Sequence, residues 1–185
     1  MSMQPAHYLL MYVLMPLWIA AGLADWWCHR RSDIEHTAGP KESLMHLLMF
    51  AEVGIPLLAA LFLEINALVI ALMLLAFVLH EATALWDVSF AVGRRIVSPL
   101  EQHVHSFLEM IPLMAILLVA VLHPDQFAAL FGLGPEPGRF DLALKSEPVP
   151  APYLISFFTA VALFTVAPYL HELWRGLKAK RKHPE

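Results

Sequence analysis

The sequence predicts an all-α integral membrane protein of about five transmembrane helices, organised as a single domain over residues 1–185. Three observations carry that expectation. Hydrophobic residues make up 59% of the chain and the mean hydropathy is +0.63, against roughly 45–50% apolar residues in soluble domains. Five apolar stretches recur, each near the roughly 20 residues a helix needs to cross the hydrocarbon core. The basic residues between those stretches fall almost entirely on one side.

The expected spans are residues 8–27, 44–63, 67–92, 100–123 and 153–174. Tyr8 to Trp27 comes first and closes on Trp26-Trp27, an aromatic pair typical of a membrane interface. Met1 to His7 holds no Lys or Arg, so the basic start of a cleaved signal peptide is missing and this helix is expected to be retained. Residues 28–41 form a polar connection ending at Gly39-Pro40. Leu44 to Leu63 follows, with Pro56 as an expected kink. After the short turn Ile65-Asn66, Ala67 to Val92 forms the third span and stops at Gly93-Arg94-Arg95. Ser98-Pro99 starts the fourth, which contains Pro112. Residues 124–151 read as an extracytoplasmic loop rich in Pro and Gly, with a short helix at Gln126 to Phe131. Tyr153 to Trp174 is the fifth span, before a basic cytoplasmic tail at 175–185.

Five spans place ten basic residues on one side: Arg30, Arg31, Lys41, Arg94, Arg95, Arg175, Lys178, Lys180, Arg181 and Lys182. Only Arg139 and Lys145 fall on the other. The positive-inside rule then puts the N-terminus outside and the C-terminus in the cytoplasm, as in a bacterial inner membrane. Cys28 is the single cysteine, which excludes an intramolecular disulfide.

Ionisable residues inside a bilayer cost a few kcal/mol each on insertion scales. Here they recur at one end of the spans. Asp25 and His29 close the first helix, and Glu42, His46 and Glu52 open the second. His80, Glu81 and Asp87 lie late in the third; Glu101, His103, His105 and Glu109 open the fourth. His36 sits in the connection between the first two. Asp25-x3-His29, Glu42-x3-His46 and Glu101-x3-His105-x3-Glu109 each share one helix face, and His80 and Asp87 lie two turns apart on another. At 1.5 Å per residue these groups occupy overlapping depths on four helices, Glu52 lying roughly 15 Å beyond Glu42. Four of the helices are therefore expected to bundle around a metal site. The halves also echo one another: acid, Arg-Arg, Glu-x3-His and proline recur from Asp25 to Pro56 and from Asp87 to Pro112.

Asp25, His29, His46, Glu52, His80, Glu81, Asp87, His105 and Glu109 are the candidate metal ligands. His36, Glu42, Glu101 and His103 are candidates for a second tier or for orienting ligands. Structural readings stand beside these. Ser98-Pro99-Leu100-Glu101 is a capping box, Glu42 meets the positive end of its helix, and His29, His36 and His103 suit an interface. His171-Glu172 reads as an interfacial pair, and Arg94 or Arg95 is placed to neutralise Asp87. Two arginines cannot balance all the deep acids. Imidazole with carboxylate and almost no thiolate suits iron first, with zinc or manganese as alternatives. The surplus of donors favours two metal ions.

The pattern resembles, in kind, the integral-membrane di-metal oxygenases (fatty-acid desaturases and hydroxylases) and the carboxylate-rich alternative oxidases. His103-x-His105 and His29-x6-His36 stand where the first group has tighter histidine boxes, and acid-x3-His replaces the ExxH of the second. The resemblance covers residues 25–109 and implies di-metal redox chemistry on a membrane lipid or other apolar small molecule. No nucleotide-binding motif is present, so a separate electron donor is expected, and nothing points to nucleic acid. Two other classes remain open: a zinc-dependent hydrolase of a lipid amide or ester, and a non-enzymatic metal-binding or transport protein.

Overall fold

The computed structural model describes residues 4–182. The expectations for Met1 and for the end of the basic tail at His183 lie outside them. The described residues are all-helical in class, 79% of them in helix and none in a strand. Five helices are long and apolar enough to cross a membrane: α1 (Pro5–Arg31), α3 (Pro40–Phe62), α4 (Ala67–Val92), α5 (Pro99–Leu122) and α7 (Ala151–Lys182). Two short helices join them, α2 (Ile34–Thr37) and α6 (Pro124–Ala129).

Local chemistry sets the helix ends. Asn66 caps α4 by accepting the Val69 N–H at 3.1 Å. At α5, Ser98 accepts from the Glu101 N–H while the Glu101 carboxylate accepts from the Ser98 N–H, a complete capping box. Proline occupies the first turn of α3, α5 and α7, where its missing N–H is harmless. Gly39, at φ 73°, supplies the left-handed backbone that turns α2 into α3. Three helices extend beyond their expected bounds, α3 beginning at Pro40 rather than Leu44. α1 continues past Trp27 to Arg31, bringing Cys28 and His29 into regular helix, and its last turn holds Arg30 and Arg31, whose charge suits a helix C-terminus. α7 likewise runs to Lys182 rather than ending at Trp174.

Both α1 and α7 widen into a π-helical turn, at Leu10–Leu14 and Ala162–Val166. Each ends just before a proline, Pro16 or Pro168. A proline clashes with the carbonyl four residues back, and in each case that carbonyl lies inside the widened turn.

The five long helices close into a ring. α1 packs on α5, α5 on α4, α4 on α3, α3 on α7, and α7 returns to α1. Toward one end the interior is apolar: Ile65, Val69, Ile70, Met73, Ile116 and Val119 form one core cluster, and Leu14, Trp18 and Ile111 a second. The outside is also apolar, with Ile55, Leu75, Val78, Leu85 and Val121 exposed, as a lipid-facing wall requires. The 124–151 connection is strapped across the α3–α4 turn. There the Glu64 N–H reaches Ala143 O at 2.8 Å, and the Asn66 amide reaches Asp141 O at 2.8 Å.

Candidate metal centre

At the opposite end of the ring the interior is polar. Asp25, His29, Glu42, His46, Asp87, Arg95, Glu101 and Glu172 are all buried there. They come from the end of α1, the start of α3, the end of α4 with the turn after it, the start of α5, and the inner half of α7. The fifth long helix therefore takes part, contrary to the expected four-helix arrangement. Glu172 is not an interfacial residue: it is 1% exposed and sits between two histidines, while its neighbour His171 is exposed.

Glu172 organises the cluster. Its Oε2 lies 3.1 Å from His29 Nδ1 and its Oε1 lies 3.0 Å from His46 Nδ1. The two rings stack at 4.3 Å between centroids with 9° between planes. An ionised carboxylate only accepts, so both imidazoles carry a proton on Nδ1 and donate it. Both Nε2 atoms then face away from Glu172, toward more acid. His29 Nε2 lies 3.4 Å from Asp25 Oδ1 and 3.4 Å from Glu101 Oε1. His46 Nε2 lies 3.4 Å from Asp87 Oδ2. A third imidazole joins from α5, with His105 Nε2 at 2.9 Å from Asp25 Oδ1.

These inward contacts have the separation of hydrogen bonds without their alignment. His29 Nε2, His46 Nε2, Asp25 Oδ1 and Asp87 Oδ1 are all buried without a hydrogen-bond partner, while Glu101 Oε1 is taken up by Arg95. Buried polar atoms are normally paired, so such a concentration at one place demands a physical reason. Asp25, His29 and His105 each present a ligand-type atom within 4.8 Å of the others, and so do His29, Glu42 and His46.

The sequence echo between the two halves has a spatial counterpart. Asp25 of the first half meets His105 of the second, and Asp87 of the second meets His46 of the first. The symmetry breaks at the arginines. Arg95 is buried and donates to Glu42, with Nε 3.0 Å from Oε1, and also pairs with Glu101. It does not reach toward Asp87. Arg94 is exposed over the Phe90 ring, 3.7 Å from its centroid. Glu101 thus caps its helix through one oxygen and enters the cluster through the other.

Other sequence candidates lie elsewhere. His36 is exposed and bonded to Asp33 at 2.9 Å, and His103 is exposed against Phe107. Neither enters the cluster. Glu52 and His80 form a separate deeper pair, 4.0 Å apart, in which the Thr83 hydroxyl donates to Glu52 at 2.8 Å. Glu81 and Glu109 are half-buried; Glu109 borders the cavity next to the cluster. That cavity, about 620 Å³ and partly open, is bounded by Asp25, His46, Asp87 and His105 on one side and by Trp18, Phe50 and Tyr169 on the other.

Close approach of α7 makes the arrangement possible. A Cβ on Gly176 would stand 3.0 Å from the Pro40 backbone nitrogen, so only glycine lets α7 lie this near the start of α3. Gly176 is one helical turn beyond Glu172, and the same approach delivers Glu172 to His46. Between them Arg175 pairs with Glu35 of α2. Burial opposes ionisation of Glu35, yet the Arg175 guanidinium outweighs it and holds the carboxyl below its usual range. The missing signal for Glu172 was this spacing: an acid at the end of the fifth span and a glycine four residues on, in the stretch read as tail.

Searches against protein-family models, curated proteins and solved structures find no match for the chain.

Proposed function

We propose that the protein is a membrane-embedded oxidoreductase that holds two metal ions, iron in the first instance, and acts on a lipid or other apolar substrate near the cytoplasmic face of a bacterial inner membrane. Electrons come from a separate donor. The observation that carries this reading is the tautomer imposed by Glu172. With Nδ1 of His29 and His46 turned to Glu172, the neutral rings direct their Nε2 lone pairs at the oxygens of Asp25, Glu101 and Asp87, an arrangement that calls for a metal ion or a proton between them. Lone pairs facing lone pairs repel unless a cation lies between them.

The distances agree. Metal bonds of about 2.0–2.2 Å to nitrogen and oxygen place neighbouring ligand atoms about 3.0 Å apart in octahedral and 3.4 Å apart in tetrahedral geometry. Asp25 lies 3.4 Å from His29 and 2.9 Å from His105, with the ligand atoms of all three within 4.8 Å of one another, and Glu101 lies 3.4 Å from His29. One ion would be held by those four, and a second by His46 with Asp87, beside the cavity. Charge supports two. Asp25, Glu42, Asp87, Glu101 and Glu172 bring five negative charges into the buried region and Arg95 one positive charge; two divalent cations match the remainder.

Bound iron would supply one-electron chemistry with dioxygen or a peroxide. The chain's own residues supply the rest. Glu172 fixes both imidazoles, as the partners of ligating histidines do, and Arg95 holds Glu42 and Glu101 in place. Trp18, Phe50 and Tyr169 give the cavity an apolar wall that excludes water. A transport path is poorly supported. Among the described residues the outer polar groups Glu64 and Asn66 are taken up by Ser146 and Asp141 of the strapping connection. Element analysis of protein purified under metal-retaining conditions tests the proposal: iron is expected, and protein containing none contradicts it.

A further inference from the structure

The pair formed by Glu52 and His80 is left unused by the cluster. His80 is 5% exposed, and neither ring nitrogen meets a hydrogen-bond partner; Glu52 Oε2 also has none. Unpaired polar atoms in an apolar interior are costly. Their position gives them a use. His80 borders the cavity beside the cluster, while Glu52 borders a second cavity of about 500 Å³ further along the bundle. Trp18 and Val53 border both. The second cavity is walled by Pro56, Met73, Ile111, Ala115 and Ile116 and, apart from Glu52, holds no ionisable group. Two chambers thus meet at one polar station, with the carboxylate–imidazole cluster beyond it on one side and an apolar slot on the other.

We infer that these chambers hold a single-chain amphiphile head-first, its terminal hydroxyl or carbonyl oxygen hydrogen-bonded by His80 and Glu52 and its apolar chain in the slot between Met73 and Ile111. An ionised Glu52 accepts from a hydroxyl, and His80 donates or accepts according to its tautomer, so the pair suits an alcohol and its carbonyl counterpart alike. Two-chain lipids are disfavoured because the slot is single. This inference rests on the proposed function for the identity of the reacting end, but not for the binding itself.

The test uses the full chain in nanodiscs and a long-chain alkanol carrying a photoactivatable diazirine at its tail. Labelling is expected on peptides containing Met73 and Ile111–Ile116, displaced by unlabelled alkanol but not by the alkane of equal length. Ala115→Phe fills the slot and abolishes that labelling, and Met73→Phe provides the same test should the first variant fail to fold. His80→Leu weakens binding about tenfold, the equivalent of one hydrogen bond to a buried group. Metal content, read on the same samples, stays unchanged in all three variants. Labelling confined to outward-facing residues, equal competition by the alkane, or labelling indifferent to a folded slot-filling variant overturns the inference. Metal-free protein that still labels the slot overturns the proposed function and leaves this one standing.

Discussion

The two ends of the helical ring are built on opposite principles. At one end Ile65, Val69, Ile70 and Met73 pack against Ile116 and Val119, Glu64 and Asn66 hydrogen-bond to the connection from α6 to α7, and that connection straps the α3–α4 turn. At the inner end five carboxylates crowd three imidazoles and one arginine, and several of their atoms lack partners. Burying charge this way is destabilising unless it is compensated. The apolar end thus contributes to holding the fold together, whereas the polar end carries buried charge that the rest of the fold must offset.

Substitutions should separate the two ends. The largest expected effect is at Glu172. Glu172→Ala frees both imidazoles to rotate and should lower metal affinity about 10–100-fold, the range for partners that orient ligating histidines, while the helical content by circular dichroism stays intact. Retained metal at wild-type affinity would break the comparison. Next, Asp25→Asn and Asp87→Asn should each remove metal from a different position, so that element analysis finds each variant partly loaded and the double variant empty. Loss of all metal in either single variant would point to one shared position.

An outer-end change should do the reverse. Ile70 is fully buried in the apolar core, and Ile70→Ala should cost about 2–5 kcal/mol of stability through the cavity it leaves, with metal content unchanged. Gly176→Ala couples packing to the cluster: overpacking against Pro40 should cost about 1–3 kcal/mol and also weaken metal binding, because Glu172 moves with α7. The smallest effect is at Glu35. Its carboxyl is held below the ordinary value of 4.5 by Arg175, so its contribution is complete above that value and is lost as pH falls through the depressed one. The pair is only partly shielded from water and its contribution is small. Thermal midpoints compared at neutral and acidic pH should converge slightly between wild type and Glu35→Gln, and identical pH profiles would contradict the assignment.

Much of this was legible in the chain. Hydropathy located all five long helices, because lipid-facing and core-facing residues are both apolar and leave unbroken runs. Helical spacing found Asp25, His29, His46, Asp87 and His105, since an acid and an imidazole on one face of an apolar helix have few other uses. Three things were hidden. Glu172 read as an interfacial residue at the end of the fifth span and Gly176 as part of a basic tail, and only the packing of α7 against α3 reveals their depth. His36 and His103 have the right spacing along the chain but point outward, which a one-dimensional pattern cannot register. Arg95 and Arg94 are adjacent, and the turn after α4 decides which is buried.

The proposed function requires the inner cluster to be a two-metal centre rather than a network of ion pairs balanced by protonated imidazoles. Element-resolved analysis of the purified full chain, paired with the same analysis of Glu172→Ala, tests it most directly. The account predicts about two ions per wild-type chain, one for each position bounded by imidazole and carboxylate, iron among them, and a marked loss in the variant. Metal-free wild-type protein that is folded and stable would contradict it.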